Sequence, residues 1–577
     1  MMRKKTITVY LKPYQKRMTF GFIIKFIGTI VELFLPLIMA YMVDYVAPQK
    51  EIWLLILLGL GMLALSFVAF FGNVMANRMA SKVAKDATNQ IRNDLFSKTL
   101  HLSAQQIDTF TIPSLVSRLS SDTYHVHQMI GMMQRLGVRA PILLLGGVLL
   151  TFTIDSSLAL ILLISVPFLT LIVFFVSKKG ISLYAKLQKS NDKMVRKVRD
   201  DYTGIRVIKA LSKIDVEQNS FEAIDEEIIK HEIKAGITVG LTNPLMNAIL
   251  NLGMAAVIFV GAYRVANHHI LPGDLIAFTS YFTIILNAVI SISRIFVILS
   301  KGMASSKRIM EILNQPETLQ IQKIDQIEPH PAFITFENVS FGYQDAMILK
   351  HLSFSIQKKE SLGIIGATGA GKSTLISLLL RFYDAQEGQI FIDGKEIKSY
   401  SNEDLRKKIG IVFQNDFLIA KSIKENIDFE RNLSFLEIQQ AAKMADAHEF
   451  IINHGGYDSL LTTKGSNFSG GQKQRLLIAR AIAAKPEILI LDDSSSALDY
   501  KTDVAIRQTL LSNLTQTTII LIAQRISSVR FADHILVLDE GKVVGFGKDK
   551  ELMENCPVYQ QIYLSQHQQA KEGNEND

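Results

Sequence analysis

One run of residues carries the clearest chemistry in this chain. Gly366, Ala367, Thr368, Gly369, Ala370, Gly371, Lys372 and Ser373 fit the spacing G-x-x-x-x-G-K-S/T, and Thr374 opens the helical stretch behind them. Small residues let backbone N–H groups curl around phosphate oxygens, and a helix N-terminus adds favourable partial charge. Lys372 is placed to neutralise the outer phosphates of a nucleoside triphosphate, and Ser373 to ligate Mg²⁺. Further along, Ile488, Leu489, Ile490 and Leu491 form an apolar run that ends in Asp492. A carboxylate at such a strand tip holds Mg²⁺ through water.

These residues need elements to position them. Ser361 to Ile365 reads as a strand into the phosphate loop, and Phe333 to Val339 alternates as an earlier strand should. Residues 332–566 are expected to form a soluble α/β domain, with residues 567–577 a polar, disordered tail. Ahead of it, residues 306–331 read as a linker marked by Pro316, Pro329 and Pro331.

Residues 1–305 differ in kind. Long apolar runs fall at about 18–46, 52–77, 132–154, 156–177, 235–263 and 275–300, where spanning a bilayer needs about 20 apolar residues. The expectation is a membrane all-α domain of six transmembrane helices followed by the α/β domain. Lys and Arg crowd the segment up to Arg17 (Arg3, Lys4, Lys5, Lys12, Lys16), the loop Arg78–Arg118 and the loop Lys178–Lys234. That bias puts those loops and both termini in the cytosol. The net charge of +8 is therefore read as membrane orientation, with no nucleic-acid partner. The stretch after Arg17 is too long for a signal peptide and lacks a small-residue cleavage site. The single cysteine, Cys556, excludes an intrachain disulfide and a Cys-based metal site.

The two long loops mix helix formers and charges without Gly or Pro over stretches such as Lys186–Arg199, so the helices should continue well beyond the membrane. Glu32 and Arg294 are ionisable groups inside apolar runs, where a charge needs a cavity or a partner. Glu32 is either a contact for a cationic substrate or one side of a pair, with Lys25 or a charge on another helix. A helix break at Asn243 and Pro244 would serve packing.

Between the phosphate loop and Asp492 lie Phe468, Ser469, Gly470, Gly471 and Gln472. This resembles the signature motif of the ABC ATPases, with Phe in place of Leu. The likeness continues. Tyr343 resembles the aromatic residue that stacks on adenine, Gln414 sits where the family's Q-loop glutamine does, and Ser496 to Asp499 looks like the D-loop. Essentially the whole chain resembles an ABC exporter half. The resemblance implies ATP and Mg²⁺ as cofactors, with Gln414 joining Ser373 and Asp492 at the metal. It also implies head-to-tail pairing of two ATPase domains, each ATP lying between one phosphate loop and the other domain's signature. Segments near Ile112–Ser121 and Tyr202–Ala210 would correspond to the coupling helices that dock on the ATPase domains.

The departures from the family pattern carry a sharper expectation. The catalytic Glu after the strand carboxylate is replaced by Asp493, one methylene shorter, and the switch His by Gln524. An amide hydrogen-bonds phosphate but carries no positive charge near neutral pH. Phe413 and Thr463 stand where Pro and Glu are common. The site should bind ATP and hydrolyse it slowly. The chain then resembles the degenerate-site subunit of a heterodimeric bacterial multidrug exporter, a likeness to which Arg139, Ala140 and Pro141 add. Expected partners are a second ABC half-transporter, membrane lipid and a hydrophobic small molecule. A homodimeric lipid flippase and an ATP-binding membrane regulator are the alternatives.

Overall fold

The computed structural model describes residues 6–316, 319, 321–322, 331–343, 346–414, 417–462, 465–494 and 497–574, the side chains of Val173, Ser177, Tyr500 and 567–574 excepted. Arg3, Lys4, Lys5, Pro329, Thr463 and Ser496 lie outside the described residues. The chain divides into two compact units: residues 1–101 with 111–315, and residues 102–110 with 316–577.

The first unit is helical. Six stretches are long and apolar enough to cross a membrane: Ile7–Val46, Ile52–Leu100, Ile112–Ile154, Ser156–Thr203, Ile214–Ala266 and Pro272–Leu313. The helix Ile52–Leu100 has 49 residues, roughly 74 Å at 1.5 Å per residue, more than twice the thickness of a bilayer core. Its apolar window is 6% buried, as a surface solvated by lipid should be. The polar continuations are helical, as the absence of Gly and Pro implies. The long helices Ser156–Thr203 and Ile214–Gly240 are joined there by ion pairs Lys193–Glu227 at 2.9 Å and Lys197–Glu217. The fifth stretch breaks at Leu241, and Pro244 falls in the first turn of the helix Thr242–Ala266, where its missing N–H leaves no bond unmade.

Apolar packing centres on Phe278, Tyr281, Phe282 and Ile285 against Leu33, Leu158 and Leu162. Several charges inside this unit are paired or hydrogen-bonded. Asp155 caps the helix that starts at Ser156, accepting from Leu158 N–H, and pairs with Arg264 at 2.6 Å. Lys25, 4% exposed, donates to Asn77 Oδ1 at 3.1 Å. Glu32 is not a lone carboxylate. It accepts from Arg139 Nη2 at 2.5 Å and Nε at 3.2 Å, a two-point pair between different helices. Arg294 makes no ion pair among the described residues.

The second unit is α/β. Its main sheet has strand order β10-β9-β3-β8-β7-β6, from Lys542–Gly547, His534–Asp539, Ser361–Gly366, Thr518–Ile522, Ile488–Asp492 and Ile409–Val412. β9 through β6 are parallel, and β10 closes the edge antiparallel. Every residue of β3, β7 and β8 is buried, the pattern of central strands covered on both faces. A smaller antiparallel sheet, β2-β1-β4-β5, comprises Ala346–Ile356, Ile334–Tyr343, Glu387–Ile392 and Lys395–Glu396.

Three details differ from expectation. The helix Pro272–Leu313 runs past residue 305. The backbone stays helical over Pro557–Asn574, where Gln, Ala, Lys and Glu are good helix formers. The segment that packs within the α/β unit is Leu102–Phe110, ahead of Ile112–Ser121. There Ser103 and Gln106 cap each other, Gln106 Nε2 donates to Pro316 O at 3.0 Å, and Tyr383 donates to Asp108 at 2.6 Å. The second expected segment is the short exposed helix Ile205–Ala210 after Gly204.

The side chains of Glu32 and Arg139 are 25% and 38% exposed, so their separation should cost about 1–2 kcal/mol, below the value for a fully buried pair. Thermal unfolding in detergent should show Glu32→Ala more destabilised than Glu32→Ala with Arg139→Ala, because the single change strands a cation. Additive losses would exclude a coupled pair.

Candidate functional site

The site begins where β3 leaves the sheet. Gly366 cannot carry a side chain there: a Cβ would lie 2.2 Å from the Leu538 carbonyl oxygen. Gly369 and Gly371 have φ of +87° and +99°, the left-handed region where glycine meets no steric penalty. The loop therefore curls, and Lys372 opens the helix Lys372–Leu379. Lys372 Nζ folds back to donate to the carbonyls of Gly366 at 2.7 Å and Ala367 at 2.9 Å. Burial pushes its pKa down, and the charges of Asp492 and Asp493 oppose that shift.

Asp492 ends β7, between β6 and β8, and is 6% exposed. Burial pushes its carboxyl pKa up, the neighbouring Asp493 adds to that, and Lys372 and a hydrogen bond from Ser373 work against it. Two adjacent acids, one buried and one part-exposed, with hydroxyl and amide oxygens alongside suit a hard divalent cation. Asp492, Ser373 and the Gln414 side-chain oxygen are the donors that would hold Mg²⁺, leaving positions for water and phosphate. Asp493 has φ of +47°, and its N–H donates to the Ile522 carbonyl at 2.9 Å. Gln414 Nε2 lies 3.4 Å from Asp493 Oδ2.

A cavity of about 290 Å³ joins these groups. It is lined by Tyr343, Thr368, Gly369, Gly371, Lys372, Ser373, Thr374, Gln414, Asp492, Asp493 and Gln524. Ile348, Ile522 and Ala523 line it too; sequence reasoning missed all three, since an apolar residue in a strand or just past its end carries no signal of its own. Ala370 is buried beneath the loop. Tyr343 meets Phe341 and Tyr383 edge-on, with centroids at 5.1 and 5.2 Å, and stays 37% exposed. That is a platform for a flat aromatic ring.

Phe468, Ser469, Gly470, Gly471, Gln472 and Asp499 do not line this cavity. Ser469 and Gln472 form a capping box on the helix Gly470–Ala483. Phe468 is buried against Phe450 and His454, a packing reason for the aromatic residue at that position. Gly470 and Gly471 lie beneath Ala497, where an added Cβ would come within 3.3 and 3.1 Å. Asp499 caps the helix Tyr500–Asn513, and the Thr502 N–H holds its carboxyl below the usual range. Phe413 stacks on Phe382 at 6.2 Å.

The pattern of the ABC transporter transmembrane region matches residues 18–289, and that of the ABC transporter matches 349–496. The chain is 33% identical to the uncharacterized ABC transporter ATP-binding protein YfiB of Bacillus subtilis, over 98% of this chain and 99% of that one. It is 30% identical to YknU of the same organism, over 99% and 98% of the two chains. The solved structure of a bacterial Atm1-family ABC exporter with ATP bound superposes with a TM-score of 0.79 at 25% identity, covering 96% of this chain and 98% of that chain.

Because the folded state raises the Asp492 pKa, its ionised form opposes folding, and that cost shrinks as pH falls through the folded-state pKa. Asp492→Asn should therefore raise the melting temperature of the nucleotide-free protein and erase the further rise produced by ATP with Mg²⁺. Calorimetry with and without nucleotide checks both, and a lower nucleotide-free melting temperature would contradict the charge argument.

Proposed function

The chain belongs to the ABC transporter family, as an exporter with transmembrane region and ATPase fused in one polypeptide, and from that premise we propose that it is the slow-hydrolysing half of a heterodimer that exports amphipathic drugs or lipid-like compounds. ATP hydrolysis coupled to transport across the membrane is the family's activity, with ATP and Mg²⁺ as cofactors.

One observation carries the asymmetric reading. Asp493 and Gln524 line the same cavity as Lys372, Ser373 and Asp492. The groups that grip the nucleotide are complete, while the group that would take the water's proton is a shortened acid. A general base must lie within about 3 Å of that proton, and well-placed base catalysis contributes roughly 10²–10⁴-fold. Asp493 also has Gln414 Nε2 as a neighbour at 3.4 Å. Gln524 supplies hydrogen bonds without the charge of an imidazolium.

The signature motif supports a role in a second composite site. Ser469, Gly470 and Gly471 stand at the exposed N-terminus of a 14-residue helix, away from this chain's own cavity. In a head-to-tail pair they would meet the partner's ATP, and the partner would carry Glu and His where this chain has Asp493 and Gln524. The loop charges support a cell-membrane protein with both termini in the cytosol.

For the substrate, the support comes from a membrane-unit cavity of about 210 Å³. Glu32, Arg139, Thr283, Asn287 and Ser291 bring polar groups to it, and Leu136, Leu143 and Ile284 bring apolar ones. Such mixed walls suit an amphipathic molecule better than a free ion.

With the partner co-expressed, Asp493→Ala should lower ATPase turnover less than twofold, and the equivalent Glu change in the partner should nearly abolish it. Equal collapse in both would refute the asymmetry. Ser469→Ala should cut turnover roughly tenfold or more by removing a charge-assisted hydrogen bond. Unchanged turnover would count against head-to-tail pairing.

A further inference from the structure

Two hydrogen bonds tie the loop around Gln524 to the C-terminal helix. Gln566 Nε2 donates to the Gln524 carbonyl oxygen at 2.8 Å, and the Ile526 N–H donates to Gln566 Oε1 at 3.0 Å. Gln566 stands on the helix Pro557–Asn574, whose Tyr559 is fully buried and whose Ile562 packs on the core. Residues 559, 562 and 566 follow at three- and four-residue steps and share one face. The face that anchors the helix therefore also delivers the Gln566 amide to the loop.

The loop is held at its other end as well. The Ala523 N–H donates to the Ile364 carbonyl at 3.2 Å, beside the bond from Asp493 N–H to the Ile522 carbonyl. Arg525 gives the helix Ile526–Val529 no side-chain cap, so Gln566 satisfies an N–H that would otherwise lack a partner. Gln524 is thus pinned on both sides, and it lines the nucleotide cavity.

We infer that Gln566 is a positioning residue for the nucleotide site. By holding the backbone on both sides of Gln524, it fixes the direction in which that amide enters the cavity, so retention of ATP on this chain depends on the C-terminal helix. The inference rests on the proposed reading that Gln524 grips the nucleotide. A released loop would spend part of its time with Gln524 turned to water, and apparent affinity falls by that fraction.

The test uses the complex with its partner and the variants Gln566→Ala, Gln566→Glu and Gln524→Ala. Photolabelling by 8-azido-ATP is measured on each chain as a function of concentration, beside ATPase kinetics and nucleotide-free melting temperature. Gln566→Ala should raise the half-labelling concentration of this chain about tenfold, the scale of two lost hydrogen bonds. The partner's curve should stay where it was, the nucleotide-free melting temperature should fall by no more than a few degrees, the scale of two lost hydrogen bonds, and maximal turnover should change far less than the ATP requirement. Gln566→Glu keeps the acceptor for Ile526 and loses the donor to Gln524, so it should fall between. An unchanged curve in Gln566→Ala overturns the inference. So does a loss in both chains with a larger fall in melting temperature, which marks a structural role alone. If Gln524→Ala leaves labelling unchanged, the grip reading itself fails, and any effect of Gln566→Ala would then run by another route and overturn the positioning role.

Discussion

Asp492 and Asp493 stand side by side where a buried strand ends, and the half-buried ammonium of Lys372 lies close enough to feel both charges. Two acids against one base leave an excess of negative charge where one of the acids, Asp492, is buried. Burial opposes ionisation of Asp492 and of Lys372, and each partly restores the other. A divalent cation together with a triphosphate would relieve the imbalance, giving Lys372 an anion and Asp492 a metal. Much of the α/β unit serves this corner. The parallel strands β3, β7 and β8 bring the glycine loop, the two acids and Gln524 to one edge of the sheet.

The helical unit meets a related constraint in a different solvent. A charge within an apolar unit is costly unless it has a partner, and two acids here have one: Glu32 in Arg139, Asp155 in Arg264. The Glu32–Arg139 pair stays part-exposed to a cavity whose other walls mix apolar residues with Thr283, Asn287 and Ser291. On the proposed reading this is where the head of an amphipathic molecule would rest. The long helices then continue as charged, ion-paired rods.

Much of this was legible in the residues. Apolar runs of bilayer length required membrane helices, and the glycine spacing before Lys372 required a phosphate loop, because both follow from local chemistry. Contacts between distant segments were not legible. Nothing near Glu32 selects Arg139 over Lys25, 107 residues and 7 residues away respectively. Leu102–Phe110 joins the α/β unit through the side chains of Gln106 and Asp108, whereas the family resemblance pointed to Ile112–Ser121. The polar composition after Ser565 suggested disorder. Instead, Tyr559 and Ile562 anchor a helix there, and Gln566 rides on it. In each case the deciding partner lies far away in the chain.

The central claim is that this chain's pocket holds ATP through cycles in which the partner's pocket cleaves it. The direct measurement is the chemical state of the nucleotide on each chain during steady turnover. The complex is supplied with 8-azido-ATP labelled on the α-phosphate, flash-irradiated, and the chains are separated before the bound nucleotide is analysed. Triphosphate on this chain with diphosphate accumulating on the partner is the predicted result. Diphosphate appearing on both chains at the same rate would contradict it.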